Sequence, residues 1–150
     1  MAPSTDRVLL TVSESIWVNR PPEAVFDYTA DFATRTEWDR AITEVTILSA
    51  SPRTARIAVP GVGHTTVVTR LDRRPERTSA VFQDVDSRWI TGGGGAWKYE
   101  PEGGGTCWTV TNTLEFRPSW LMRLLRPVIT RDIRRKTRRA MSEAKRILES

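Results

Sequence analysis

The sequence predicts an α+β fold: a seven-stranded curved antiparallel sheet wrapped around a long C-terminal helix, with two short helices after the first strand. Three observations predict it. Between Leu9 and Arg117, short segments of alternating apolar residues are separated by Pro/Gly and polar turns, the period-2 signature of strands. From Ser119 onward the apolar period becomes helical. The run Gly92-Gly-Gly-Gly95 falls inside a strand segment, where glycine marks a bulge or a sharp bend.

The elements follow in order. Leu9 to Val18 reads as a strand with Leu10, Val12, Glu14, Ile16 and Val18 on one face. Asn19-Arg20-Pro21-Pro22 stops it, and Pro22 opens a short helix to Ala30, since a first helical turn has no use for its N–H. Asp31 is placed to cap a second short helix ending near Trp38 and Asp39. Strands are expected at Ile42–Leu48, Thr54–Val59, His64–Arg73, Thr78–Val85, Arg88–Glu100 and Thr106–Arg117. The final helix carries two apolar stripes. Leu121, Leu124, Leu125 and Val128 form the first; Ile129, Ile133, Thr137, Ala140, Ala144 and Ile147 form the second. Pro127 between them is expected to kink or split the helix.

Composition narrows the functional classes. A chain of 150 residues with 39% hydrophobic and 27% charged content suits one soluble domain spanning residues 1–150 rather than a disordered chain. No apolar run approaches the roughly 18 residues of a membrane span, and Met1 to Arg7 hold no hydrophobic signal core. A cytoplasmic protein without stable membrane insertion is therefore expected. The single cysteine, Cys107, excludes an internal disulfide framework and reads as an inert thiol. One histidine and one cysteine make a metal site unlooked-for, and no cofactor is expected. Residues 120–150 carry ten Arg/Lys against three Asp/Glu, so the terminal helix is basic while the rest of the chain is mildly acidic. That basic face reads first as solvated. No nucleic-acid module accompanies it; a membrane surface or a protein partner is the alternative.

The order of elements resembles a known layout. Val18-Asn-Arg-Pro-Pro22-Glu-Ala-Val25-Phe26, Ala30-Asp31 and Glu37-Trp38-Asp39 carry the resemblance. The hairpin Gly95-x-Trp97-x-Tyr99-x-Pro101-x-Gly103-x-Gly105-Thr106 and the closing helix complete it. Over nearly its whole length the chain resembles the START-like, Bet v 1-like (SRPBCC) superfamily and its polyketide cyclase/dehydrase branch. The resemblance implies a helix-grip fold with a deep apolar cavity between sheet and last helix. It also implies binding of lipid-like, polyketide-like or other hydrophobic molecules. Fold alone does not choose among these.

Inward-facing positions supply the candidate ligand contacts. Trp97, Tyr99, Trp108, Val110 and Leu114 are wall candidates from the last hairpin. Trp38 is a candidate for the cavity mouth, with Val67, Thr69 and Phe82 from the middle strands. Leu125, Val128, Ile129 and Ile133 are candidates for a floor. Asn112 and Glu14 lie in otherwise apolar series, where a polar group needs a partner in protein, water or ligand. His64 follows Gly61-Val-Gly63 and reads as an exposed turn residue. No spacing names a nucleophile, a base and an orienting acid. The expected function is binding of a small hydrophobic or aromatic molecule, with no catalytic residue assigned. The alternative is a polyketide aromatase/cyclase in which Asn112, Glu14, Tyr99 or His64 polarises carbonyls or moves protons. The expected partner is that small ligand; a homodimer is left open.

Overall fold

The computed structural model describes residues 8–150. The reading of Met1 to Arg7 as free of a signal core lies outside them. Seven strands form one antiparallel sheet: β1 (Val8–Val18), β2 (Glu44–Ala50), β3 (Arg53–Val59), β4 (Gly63–Arg73), β5 (Arg77–Ser87), β6 (Ile90–Glu102) and β7 (Gly105–Phe116). Their order across the sheet is β1-β7-β6-β5-β4-β3-β2, so every pair except β1–β7 joins neighbours in sequence. Helix α1 (Pro22–Thr29) follows β1, and α3 (Trp120–Glu149) closes the chain.

The second short helix is two pieces. A 3₁₀ turn at Phe32–Thr34 runs into a single α-turn, α2 (Arg35–Trp38). The Asp31 carboxylate accepts from the Ala33 N–H at 2.9 Å and so starts it, as the capping rule predicts. The second strand also begins later than expected, at Glu44. Ile42 is instead buried against Ile57 and Val67.

Parity decides what faces inward. Val8, Leu10, Val12 and Val18 of β1 are buried. Their odd-numbered neighbours form hydroxyl pairs on the outer face: Thr11 with Thr113 at 3.3 Å, Ser13 with Thr111 at 3.0 Å and Ser15 with Thr109 at 2.8 Å. Polar pairs of this kind hold an edge strand in register from its wet side.

The closing helix corrects the two-stripe reading. It is continuous from Trp120 to Glu149, with Pro127 inside it and exposed. One stripe, Met122-Leu125-Ile129-Ile133-Ala140-Ala144, faces the sheet throughout. Leu121, Leu124 and Val128 are exposed, so Val128 is no part of a floor. The backbone hydrogen bond that a proline cannot make falls here on the exposed side of the helix, where its loss strands no buried carbonyl. Ser119 caps the helix, its hydroxyl accepting from Leu121 N–H at 3.2 Å and Met122 N–H at 3.5 Å.

Among the described residues no helix is long and apolar enough to cross a membrane.

A cavity between the sheet and the last helix

The cavity follows from which side chains meet across the sheet. One inward row is Ile16–Trp108–Tyr99, and the next is Glu14–Val110–Trp97–Thr78. The row after that is Val12–Asn112–Gly95–Ala80–Thr69. Two rows of large side chains thus give way to one of small ones. The space left between that row and α3 is a hollow of about 530 Å³, well within the size of ordinary small-molecule sites.

The glycine run shapes this hollow. A Cβ on Gly93 would stand 2.4 Å from the Thr113 carbonyl oxygen, and its φ of +151° also disfavours a side chain. A Cβ on Gly95 would stand 3.0 Å from Asn112 Oδ1. Glycine therefore keeps the wall thin and the strands close. The β5–β6 pairing ends at Val81 and Gly94, beyond which the two strands part. At the start of the run the β6–β7 register also shifts, between Ile90 and Gly92.

The structure brings most of the candidate residues together. Trp38, Val67, Thr69 and Phe82 line the hollow, as do Trp97, Val110, Asn112 and Leu114. From α3, Leu125, Ile129 and Ile133 form its other side. Besides Val128, three candidates lie elsewhere. Trp108 is fully buried, packed against Trp38, Trp97 and Tyr99 with centroids 5.6, 5.8 and 6.3 Å away. Tyr99 is buried too, its hydroxyl 2.8 Å from Thr29 Oγ1. Both side chains are large enough to reach their neighbours and close the space. Burial pushes the Tyr99 phenol far up, so it remains neutral at any physiological pH and is a poor proton donor. Glu14 reaches away to α3, 2.9 Å from Arg134 and 3.0 Å from Arg138. The carboxylate is thus a strut between strand and helix.

The walls are chiefly apolar, with a few polar groups. Asn112 lines the hollow, and its side-chain amide has no hydrogen-bond partner among the described residues. The Thr69 hydroxyl is in the same position. His64 is exposed, as expected for the start of a strand, yet it also borders the hollow. At the helical rim Asp132 pairs with Lys136 at 3.0 Å. That ammonium's hydrogen bond holds the Asp132 carboxyl below its usual range. Among the described residues no group of His, Cys, Asp and Glu could hold a metal ion.

Sequence reasoning missed Arg35. Its guanidinium lies 4.7 Å from the Trp38 ring and 4.8 Å from the Trp97 ring, within cation–π range, and pairs with Asp39 at 2.8 Å. The signal was present: Arg35, Trp38 and Asp39 stand at i, i+3 and i+4, one face of a helical turn. Arg53 was missed as well. It hydrogen-bonds the Ala30 carbonyl and pairs with Asp72 at 2.8 Å. Both arginines line this end of the cavity, each paired with a carboxylate.

Sequence and structure both relate the molecule to known proteins. The profile of the family described as "Polyketide cyclase / dehydrase and lipid transport" matches residues 10–149. Among solved structures, the chain is similar to the Zhui aromatase/cyclase of Streptomyces sp. R1128, with a TM-score of 0.78, 15% identity, and 95% and 94% of the two chains covered. It is also similar to a START superfamily protein from Mycobacterium smegmatis, with a TM-score of 0.74, 16% identity, and 93% and 97% covered. The di-domain ARO/CYC BexL of the BE-7585A biosynthetic pathway matches with a TM-score of 0.73 and 17% identity; 98% of this chain spans 52% of that one. Such identities carry the fold and no more. No curated protein matches by sequence.

Proposed function

Because this chain belongs to the polyketide cyclase/dehydrase and lipid transport family, we propose that it binds a small hydrophobic or aromatic molecule between the sheet and α3, the chain acting as one domain. The observation that carries this reading is the hollow itself. Its walls are apolar, its volume is about 530 Å³, and a few polar groups stand ready to orient a guest. Displacing water from such walls contributes about 25 cal/mol per Å² of apolar surface. The amide of Asn112 and the hydroxyl of Thr69 supply hydrogen bonds without first breaking one inside the protein. Trp97, Trp38 and Phe82 offer ring faces and edges, which suits a flat or unsaturated guest.

The test is native mass spectrometry of the purified protein, followed by titration with a fluorescent apolar probe. The expected result is one bound molecule per chain, displaced competitively by an aromatic or acyl compound. Absence of any probe binding at saturating concentration overturns the proposal.

A second reading, a polyketide aromatase/cyclase, is supported by the likeness to the Zhui aromatase/cyclase. In that reading the walls hold a poly-β-keto chain folded while Asn112 polarises a carbonyl, the contribution being proximity and orientation. Incubation with a reactive poly-β-ketone decides it. A product distribution identical to that in buffer ends the catalytic reading and leaves the binding reading standing.

A further inference from the structure

The first two turns of α3 are apolar on both sides. Met122, Leu125 and Ile129 face the cavity. On the opposite side Trp120 is 76% exposed, Leu124 66%, Val128 65% and Leu121 40%. Trp120, Leu124 and Val128 are spaced four apart, so they form one row along the helix, with Leu121 beside it. Arg123 and Arg126 interrupt this surface on one flank only, and an apolar row left outward on a helix normally meets an apolar phase. Here one side faces the cavity and the other faces outward.

Charge identifies what the outward side meets. Residues 117–131 contain four arginines, Arg117, Arg123, Arg126 and Arg131, and no Asp or Glu. Arg131 and Arg135 continue the exposed row toward the middle of the helix. Pairing this face with its own copy across a two-fold axis would bring the two sets of arginines together, and like charges across an interface are costly. The surface is convex, a helix carrying protruding side chains, and so is ill suited to gripping a peptide in a groove. A tryptophan and aliphatic residues flanked by arginines are the composition of a helix lying at a lipid interface. Trp89 stands at the same end. Its carbonyl accepts from Arg117 N–H at 2.9 Å, and its side chain both borders the cavity and is exposed.

We propose that the N-terminal two turns of α3 dock this protein reversibly on an anionic lipid surface, with Trp120, Leu124 and Val128 entering the interface and the exposed Arg126 and Arg131 meeting the headgroups. The same segment forms part of the cavity wall, so docking sets that wall against the bilayer. The inference does not depend on which molecule fills the cavity.

The experiment is co-sedimentation of the full chain with vesicles of phosphatidylcholine, alone or mixed with phosphatidylglycerol. The expected result is binding to the mixed vesicles, weak binding to phosphatidylcholine alone, and loss of binding as salt is raised. The double substitution Leu124→Ser with Val128→Ser lowers partitioning by about tenfold or more. Arg126→Ala lowers it about fivefold. Because these side chains are exposed, circular dichroism and probe binding in the cavity remain those of the parent. Absence of vesicle binding overturns the proposal, as does equal binding by parent and variants or equal binding to both vesicle types. A dimer in analytical ultracentrifugation that the double substitution dissolves also overturns it, in favour of a second copy as the occupant.

Discussion

The two ends of the space between sheet and α3 are built from the same elements and end up opposite in character. At one end Trp108, Tyr99 and Phe26 share a buried cluster with Ala144 and Leu148, and Trp38, Ala140 and Met141 of the same cluster form its border with the hollow. At the other, Asn112, Gly95, Ala80 and Thr69 face Leu125, Ile129 and Ile133 across a hollow. At the filled end the large rings of Trp108 and Tyr99 share a cluster with both small and larger side chains of the helix, Ala140 and Ala144 with Met141 and Leu148. At the hollow end small residues on the sheet meet medium ones on the helix, and the volumes do not add up to a full interior. A continuous hydrophobic pattern thus makes both a core and a container, and side-chain volume decides which.

Substitutions at the two ends sharpen the contrast, and the largest effect is expected at the filled one. Trp108→Ala removes a fully buried ring that touches three others, and a loss of about 3–5 kcal/mol is expected in denaturant unfolding. A loss below about 1 kcal/mol would mean that the end described as solid is itself loosely packed. Trp108 Nε1 and Trp38 Nε1 have no hydrogen-bond partner, so part of what the rings contribute is already offset by stranded N–H groups.

At the hollow end the order of effects reverses, with binding changing more than stability. Asn112→Leu replaces an unpartnered amide by an apolar side chain and is expected to raise stability by up to about 1 kcal/mol. Occupying part of the hollow and removing a polar anchor, it should weaken probe binding about tenfold. Thermal unfolding and fluorescence titration of the same sample measure both. Unchanged binding together with unchanged stability would break the distinction between the two ends.

The smallest effect concerns how α1 is fastened at the solid end. Asp27 of α1 meets Arg74 of the β4–β5 turn in a bidentate pair, at 2.6 and 2.8 Å. The hydrogen bonds from Arg74 lower the Asp27 pKa below its ordinary value of 3.8. A group whose folded-state pKa is depressed adds stability above its unfolded pKa and loses it as pH falls through the folded value. Asp27→Asn should therefore lower stability slightly at neutral pH and make the acid limb of the pH profile shallower below about pH 4. The pair is exposed, so the change is small. An unaltered acid limb would show that the pair contributes nothing to holding α1.

Sequence by itself determined the strands, their facing and the closing helix. Period-2 alternation and helical periodicity are local properties, and each inward parity read from residues such as Val12, Trp97 or Asn112 holds in the structure. The glycine run also announced an irregular stretch, where β5–β6 pairing ends and the β6–β7 register shifts, because missing side chains act locally. Tertiary structure alone decided which inward residues close on one another and which stand around empty space. Trp108 and Asn112 share one face of one strand, yet the register across β6 sets Tyr99 beside the first and Gly95 beside the second. Tertiary structure likewise turned Glu14 toward two arginines 120 and 124 positions further along the chain. It also sorted the leucines at the start of α3 into inner and outer faces. The reason is physical: periodicity fixes direction within an element, whereas volume and charge are balanced only between elements, and the partner is known only when the chain has closed.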